Sequence, residues 1–341
     1  MLAYPEAGCG RERYLGSDVL GKSPWWSHEY DAVMRSMRAS SSLFDWLRSR
    51  LASADAAAIL RREETRLRRL IESLPLEPRA KVQGELARAL ASDPIRIETP
   101  KGHLLFAVFG ETSGFRAKGL LTKQRATIAW IDSFLANSVF WDIGANIGSY
   151  TLYAALRTDM HVVAFEPAAV NYFILAANCE LNAFGERVDC LQIGVGGDKG
   201  VERLEISQFE PARSFSFRGK GRRPPSSRQA ALVLSMDQLI DEFGLACPNY
   251  IKIDVPGMTG AIIEGGARTL GRPELRELHI EASEHSTGGR RVVERLSEAG
   301  FTIAARHVHG ETTDLTFTRR GTGRGSEGGA AVRSVLLEPD R

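Results

Sequence analysis

The stretch from Val139 to Pro167 constrains the fold more than any other part of the chain. An apolar strand, Val139 to Trp141, ends on Asp142, and a glycine-bracketed turn with the sequence GANIG follows. A helix-like run comes next, and a second apolar strand then ends on Glu166. Because open parallel sheets bind ligands beyond the carboxyl ends of their strands, this β-α-β unit predicts a ligand site beside the two acids.

Three ligand classes compete for the glycine-containing turn, and the residues that flank it separate them. A phosphate-binding P-loop requires a lysine and a hydroxyl residue directly after its final glycine, but Ser149 and Tyr150 stand there. A dinucleotide motif, G-x-G-x-x-G, requires glycine where Asn146 and Ser149 stand, which weakens that interpretation without excluding it. S-adenosylmethionine (SAM) fits better, because an acid suits its amino group and loop amides can meet its carboxylate.

Glu166 stands about 20 residues beyond the loop, where an acid can accept both ribose hydroxyls of an adenosine cofactor. The loop and the two strand ends are therefore the predicted cofactor site. The residues expected to hold SAM are Asp142, Gly144, Ala145, Asn146, Gly148, Glu166 and Pro167. The alternative is a β-α-β unit whose loop caps a helix and binds no ligand.

The motifs DIGANIG, AFEP and IKIDVPG resemble those of the FkbM-type SAM-dependent methyltransferases. The resemblance covers about Ile95 to Arg319. It implies a class I methyltransferase fold, an α/β domain in which a Rossmann-like, mostly parallel seven-stranded sheet has helices on both faces. It also implies transfer of a methyl group from SAM to a hydroxyl oxygen of a glycan or small metabolite.

The pattern along the chain divides it into three parts. Residues 1–94 are predicted to form a helical N-terminal extension, because apolar positions from Asp55 to Leu74 lie along one helical face. Residues 95–320 form the expected methyltransferase domain, and the glycine-rich residues 321–341 a flexible tail. The extension could be a lid, a dimerisation arm that gives a homo-oligomer, or a partner-binding module. The simpler alternative is packing on the catalytic domain.

The composition is that of a soluble globular protein, with 43% apolar and 25% charged residues. A formal net charge of +2 gives no indication of a nucleic-acid partner. No apolar run approaches the roughly 18 residues of a membrane span, and no secretory signal is recognisable. Cys9, Cys179, Cys190 and Cys247 show no CxxC spacing, which predicts free thiols in the cytoplasm and no metal site.

Two later strands are also predicted to end on acids at the same crevice. The fourth strand ends on Asp254 and the fifth on Glu281, with His285 close behind. Asp254 is expected to line the methyl-transfer site, while Glu281 and His285 are candidates for substrate contact or proton removal. His279, within the fifth strand, is a further candidate base, although a lone strand histidine is more often structural.

Two further segments are candidate binding elements. Gly194 begins a predicted glycine-rich turn after the third strand, where adenine could approach the backbone; a plain turn is the alternative. The insertion from Gln208 to Gln229 contains six basic residues and one acid. A basic mobile loop there could close over an anionic acceptor, or it could be a solvated surface loop.

The loop after Asp254 departs from the FkbM-type pattern. The family usually has an acid before the glycine of this loop and a glutamate shortly after it, but Pro256 and Thr259 stand there in VPGMTG. Two carboxylates that could act as a general base are thereby lost. The predicted O-methyltransferase therefore has an alternative, a catalytically impaired SAM-binding module with an interaction or regulatory role. A dinucleotide-dependent oxidoreductase is less favoured.

Overall fold

The computed structural model describes residues 94–122, 125–206, 212–215, 217, 227–282, 286–309 and 312–321, together with scattered positions between 62 and 81. The chain divides into two compact units, Met1–Ala87 and Arg88–Arg341. In the first unit the described positions are mostly helical, and Arg79 donates hydrogen bonds to the carbonyl oxygens of Glu72 and Leu74. Most of the predicted N-terminal extension, His285 and all but the first residue of the predicted tail lie outside the described residues.

The strands of the second unit belong to three sheets of two, seven and three strands. In chain order they are β1 (Ile95–Thr99), β2 (Gly102–Phe106), β3 (Ser138–Ile143), β4 (Met160–Phe165), β5 (Val188–Leu191), β6 (Gly194–Gly196), β7 (Gly200–Ile206), β8 (Ser227–Ser235), β9 (Tyr250–Ile253), β10 (Glu277–Ala282), β11 (Phe301–His309) and β12 (Thr312–Arg319).

Helices connect the parallel strands of the seven-stranded sheet, as a parallel arrangement requires. They are α1 (Glu111–Gly119), α2 (Arg125–Asp132), α3 (Ser149–Ala155), α4 (Ala169–Leu181), α5 (Met236–Asp241), α6 (Thr259–Glu264), α7 (Ala267–Gly271) and α8 (Thr287–Glu298). Among the helices that the structure describes, none combines the length and the apolar character of a membrane span.

The seven-stranded sheet has the order β11-β12-β10-β9-β3-β4-β5. Neighbouring strands from β10 to β5 pair in parallel, while β12 pairs antiparallel with both β10 and β11. This sheet confirms the expected α/β class I methyltransferase fold, and β11 and β12 form an antiparallel hairpin at its edge. The order of the parallel strands along the sheet reverses between β3 and β9. The carboxyl ends of these two strands therefore flank the crevice in which such sheets bind ligands.

Apolar side chains cover both faces of this sheet. Phe140 of β3 belongs to a buried cluster with Leu152 and Ile174, which lie in α3 and α4. Trp141, the next residue of β3, belongs to the opposite cluster with Ile262 of α6. Successive strand residues point to opposite faces, so this alternation places helices on both sides of the sheet.

Two glycine-rich segments differ from their predicted structure. The predicted turn at Gly194 is strand β6, which pairs in parallel with β8. The sequence also predicts a single helix from Ala261 to Leu270, but the structure divides this stretch into α6 and α7 around Gly265 and Gly266. A Cβ atom at Gly265 would collide with the carbonyl oxygen of Gly196, so the break allows the two backbones to pack directly together. Local periodicity carries no information about this long-range contact.

The strands that flank the basic insertion, β7 and β8, form an antiparallel ladder. However, β8 begins at Ser227, so Arg228 and Gln229 belong to a strand and not to the insertion loop. After β8, Ser235 caps α5, and its side chain and that of Gln238 form a reciprocal capping box.

Asn178 links α4 to two other parts of the core. Its Oδ1 accepts a hydrogen bond of 2.7 Å from the backbone amide of Ala107, and its Nδ2 donates one of 2.8 Å to the carbonyl oxygen of Ile147. The side chain is fully buried. It therefore ties the segment after β2 to the glycine turn that follows β3.

Replacing Asn178 with alanine would leave both backbone groups buried without this partner. We expect the Asn178→Ala variant to lose about 2 kcal/mol of unfolding free energy. Urea denaturation monitored by circular dichroism measures the loss. Glu180→Ala, an exposed change on the same helix, is the control and should stay within about 0.5 kcal/mol of the parent. Equal losses in the two variants would contradict the structural role of Asn178.

Candidate active site

A cavity of about 350 Å³ lies at the carboxyl ends of β3, β4 and β9. Most of the predicted site residues line it: Gly144, Ala145, Asn146, Glu166, Pro167, Gly194 and Asp254. Among the described predicted residues, Asp142, Gly148 and Glu281 are not part of this lining. The topology therefore brings the loop and the ends of three strands together, as their sequence pattern indicated.

Glu166 holds its carboxyl group at the wall of this cavity. Its Oε2 accepts a hydrogen bond of 2.9 Å from the amide of Asn146, and its Oε1 accepts one of 2.9 Å from the amide of Ala168. Only 6% of the residue is exposed. Burial raises the pKa of Glu166 to about 7, although the hydrogen bonds from Ala168 and Asn146 act to lower it. The carboxyl group is thus fixed in orientation and still lines the cavity.

The glycine turn packs directly on the end of β9. Gly144 has a φ of +82°, and a Cβ atom at this position would collide with the carbonyl oxygen of Asp254. Glycine is therefore required both by the backbone conformation and by the close approach. Asn146 has a φ of +53°, a left-handed conformation that asparagine tolerates better than most residues.

The amides of this turn are engaged within the protein. Those of Gly144 and Ala145 donate to the carbonyl oxygen of Phe165 at 3.0 Å, and that of Gly148 to Ala145 at 2.8 Å. The amide of Ile147 donates to the side chain of Asn146, whose own amide donates to the Glu166 carboxylate. The amides of the turn thus have partners within the protein, and their contact with a cofactor carboxylate stays a prediction.

Lys252 is a central residue that the sequence analysis missed. Its Nζ lies 3.4 Å from Oδ1 of Asp142, 3.5 Å from Oδ2 of Asp254 and 4.8 Å from the centre of the Tyr150 ring. Burial alone would lower the pKa of Lys252, but the two carboxylates raise it above its usual value. Lysine is therefore a cation here although only 4% of it is exposed. Strand alternation was the available signal, because it places Lys252 and Asp254 on one face.

Asp142 lies beneath the cavity and not on its wall. It is fully buried, and its Oδ2 accepts a hydrogen bond of 2.7 Å from the Thr151 hydroxyl. Its other oxygen faces Lys252. The carboxylate thus compensates the buried ammonium group, and its effect on a ligand would pass through Lys252 and Asp254.

His279 has a packing role in the structure. It is buried, and its ring nitrogens lie 3.1 Å from the Thr127 hydroxyl and 3.0 Å from the Thr316 hydroxyl. Its ring stacks on Trp130 with a centroid distance of 5.0 Å. His279 lies opposite Lys252 in the β9–β10 pairing, but it is not among the described residues that line the cavity.

Asp254 and Glu281 also line a second cavity, of about 580 Å³. Partial burial, followed by the nearby charges of Asp254 and Asp314, raises the pKa of Glu281 to about 7. The predicted carboxyl pair is thus brought together at the end of the sheet. A carboxyl group with such a pKa is partly ionised at neutral pH and can accept a proton there.

Residues 212–215 and 217, here called the cover segment, lie across the first cavity. The carbonyl oxygen of Arg213 accepts hydrogen bonds from the side-chain amides of Asn146 and Asn171, at 3.1 and 2.9 Å. The Arg116 side chain donates to the carbonyl oxygen of Ala212. Ser214, Phe215 and Phe217 of this segment line the cavity. The rest of the predicted basic insertion before Ser227 is outside the described residues.

The described cysteines and acids are not arranged as a metal-binding cluster. Cys179, Cys190 and Cys247 are free thiols, as predicted, and the sulfur atoms of the first two lie 3.5 Å apart. Within the described ranges, no group of three or more His, Cys, Asp or Glu side chains could hold a metal ion.

The buried ion pair between Lys252 and Asp142 predicts a specific pattern of stabilities. Lys252→Met should lower the unfolding free energy by about 3 to 5 kcal/mol, because it leaves the Asp142 charge buried and uncompensated. Adding Asp142→Asn should restore more than half of that loss, since the stranded charge is removed. Urea denaturation of the single and double variants tests this. A double variant no more stable than Lys252→Met would show that the pair is not coupled.

Comparison with known proteins agrees with the motifs. Residues 142–303 match the model of the family described as Methyltransferase FkbM domain. The 31-O-demethyl-FK506 methyltransferase FkbM of Streptomyces tacrolimicus is 29% identical over 194 residues, which cover 49% of this chain and 74% of the relative. The hexuronic acid methyltransferase AglP of Haloferax volcanii is 26% identical over 156 residues, which cover 46% of this chain and 61% of the relative.

Among solved structures, the methyltransferase FkbM of Methylobacillus flagellatus is similar to this chain, with a TM-score of 0.40 and 19% identity. The match covers 53% of this chain and 43% of that protein. This chain thus spans less than half of that protein and about three fifths of AglP.

Proposed function

An FkbM-type methyltransferase domain occupies residues 142–303 of this chain, and we propose that it transfers a methyl group from SAM to a hydroxyl oxygen of a glycan or small metabolite. The observation that carries the proposal is the orientation of Glu166. Its carboxyl group lines a cavity that the glycine turn, the end of β9 and the cover segment enclose. A carboxylate in this position is suited to the ribose hydroxyls of an adenosine cofactor.

The residues of the first cavity fit SAM better than a dinucleotide. A dinucleotide site presents free amides at the start of a helix to the pyrophosphate. Here the backbone amides from Gly144 to Gly148 donate hydrogen bonds within the protein, and the Glu166 carboxylate accepts the one from Asn146. An acid at this point would repel a pyrophosphate. SAM carries no phosphate, and its amino group would be attracted to the acids around Lys252.

Several groups of the chain would hold the cofactor. Glu166 would accept hydrogen bonds from the ribose, and Gly194 with Phe217 would contact the adenine. Asp254 lies on the opposite part of the lining, beside the Lys252 ammonium group. Bound SAM would supply a methyl group that its positively charged sulfur already activates. The protein then has to position a hydroxyl oxygen in line with that methyl group.

Proton removal from the acceptor is assigned to the carboxyl pair. Asp254 is held by Lys252 and lines both cavities, so it can orient an acceptor hydroxyl. Glu281, with a pKa of about 7, can accept the hydroxyl proton at neutral pH. His285 stays a candidate for the same role from the sequence. These carboxyl groups support turnover over the alternative of an impaired SAM-binding module, although Pro256 and Thr259 replace two acids.

The names of two relatives support a hydroxylated small molecule or sugar as the acceptor, and the free thiols support a cytoplasmic location. One relative is named for the methylation of 31-O-demethyl-FK506, and the other for that of hexuronic acid. Both names are consistent with a hydroxylated small molecule or sugar as the acceptor of this chain. The three cysteines that the structure describes are free thiols, which suit a reducing compartment, and we propose a cytoplasmic location.

The Glu166→Ala variant tests the proposed cofactor site. We expect SAM to bind it at least about tenfold more weakly, because the ribose hydroxyls lose their acceptor. Isothermal titration calorimetry measures the dissociation constant. Glu180→Ala removes an exposed acid from α4, outside the cavity lining, and should bind SAM as the parent does. A folded Glu166→Ala protein with the affinity of the parent would rule out the ribose contact.

A further inference from the structure

The second cavity adjoins the first through the loop that follows β9. Asp254, Val255 and Pro256 line both cavities. The remaining walls come from the start of α6, the end of β10 and the N-terminal part of α8. A cofactor in the first cavity would leave the second open to another molecule, which would meet the cofactor at Asp254.

We propose that the second cavity binds the acceptor, and that the acceptor is a hydroxylated molecule carrying a carboxylate group. This inference rests on the proposed function, because it requires the methyl donor in the first cavity. The volume of about 580 Å³ accommodates a sugar or a metabolite of similar size. The charges on its walls decide the chemical class.

Carboxyl groups stand where the two cavities meet. Asp254 is shared between them, and Glu281 lines the second cavity near enough to Asp254 for the charge of Asp254 to raise the pKa of Glu281. Carboxylates accept hydrogen bonds from hydroxyl groups, so this wall can hold and orient the acceptor hydroxyl. A hydroxyl bound here lies next to the proposed cofactor cavity, as methyl transfer requires.

Two arginines stand on the α8 wall. Arg291 and Arg295 are four residues apart, so they lie on the same face of α8, and both line the cavity. Arg291 pairs at 2.9 Å with Glu264, which also lines the cavity. Arg295 pairs at 3.0 Å with Glu298, which is outside the lining. This wall therefore presents two guanidinium groups and one carboxylate.

These ion pairs can be exchanged for a ligand at little cost. The side chains of Arg291 and Arg295 are 73% and 48% exposed, and exposed ion pairs contribute little to stability. A guanidinium group can instead bind a ligand carboxylate through two parallel hydrogen bonds. An acceptor with a carboxylate at this wall would place its hydroxyl groups towards Asp254.

Pro256 and Thr259 favour the same class of acceptor. They are the two positions at which the chain departs from the acids of the FkbM-type motif, and both line the second cavity. Their uncharged side chains remove two negative charges that would repel an anionic acceptor. The replacement of two acids by Pro256 and Thr259 is thus explained as a change of acceptor specificity, in addition to its effect on proton transfer.

The full-length protein, saturated with S-adenosylhomocysteine, provides the test. Saturation-transfer difference NMR titrations would compare methyl β-D-glucuronide with methyl β-D-glucoside, which differ in carrying a carboxylate or a hydroxymethyl group. We expect the glucuronide to bind at least about tenfold more tightly, as bidentate contacts to arginine imply. The double variant Arg291→Ala/Arg295→Ala should remove this preference. Arg290→Ala, an exposed arginine of α8 outside the lining, should retain it.

The outcomes separate this inference from the function on which it rests. If S-adenosylhomocysteine does not bind the folded parent, the proposed function fails. If it binds equally to the parent and all variants but the glucuronide has no advantage over the glucoside, the carboxylate-bearing acceptor is excluded. An equal loss of preference in Arg290→Ala and in the double variant would also overturn it, because the effect would then reflect overall charge and not the cavity.

Discussion

The ammonium group of Lys252, enclosed between the carboxylates of Asp142 and Asp254, is the interaction on which the arrangement of the strand ends depends. A buried cation requires compensation, and the two acids come from neighbouring parallel strands whose register places Asp142 opposite Lys252. The Thr151 hydroxyl completes the hydrogen bonding of Asp142. The end of β9 is thereby fixed to β3, and Asp254 is held at the boundary between the two cavities.

The site around this ion pair is built from groups that the protein has already oriented. The glycine turn packs against the end of β9, and its amides are engaged, so its role is to shape the cavity. Glu166 is fixed by two backbone amides, and Asn146 with Asn171 holds the cover segment over the same space. A binding site whose side chains are fixed in advance loses less entropy when its ligand arrives.

Much of this architecture is predictable from the sequence, and the misses share one cause. Apolar strands that end on acids predicted the β-α-β unit and the meeting of Glu166 and Asp254 at one edge, and the resemblance to the FkbM-type family implied the seven-stranded sheet. The burial of Asp142, the role of Lys252 and the strand at Gly194 depend on which distant residues pack against them. Local pattern gives the face of a residue but not its partner. Gly265 shows this limit most directly, because a Cβ atom at this position would collide with the carbonyl oxygen of Gly196.

The central claim is that this edge of the sheet binds SAM and not a dinucleotide. The most direct test is calorimetric titration of the folded, full-length chain with S-adenosylhomocysteine and, separately, with NAD. We predict micromolar binding of S-adenosylhomocysteine and no binding of NAD. Binding of NAD, or no binding of S-adenosylhomocysteine, would contradict the assignment of Glu166 and the glycine turn to a SAM site.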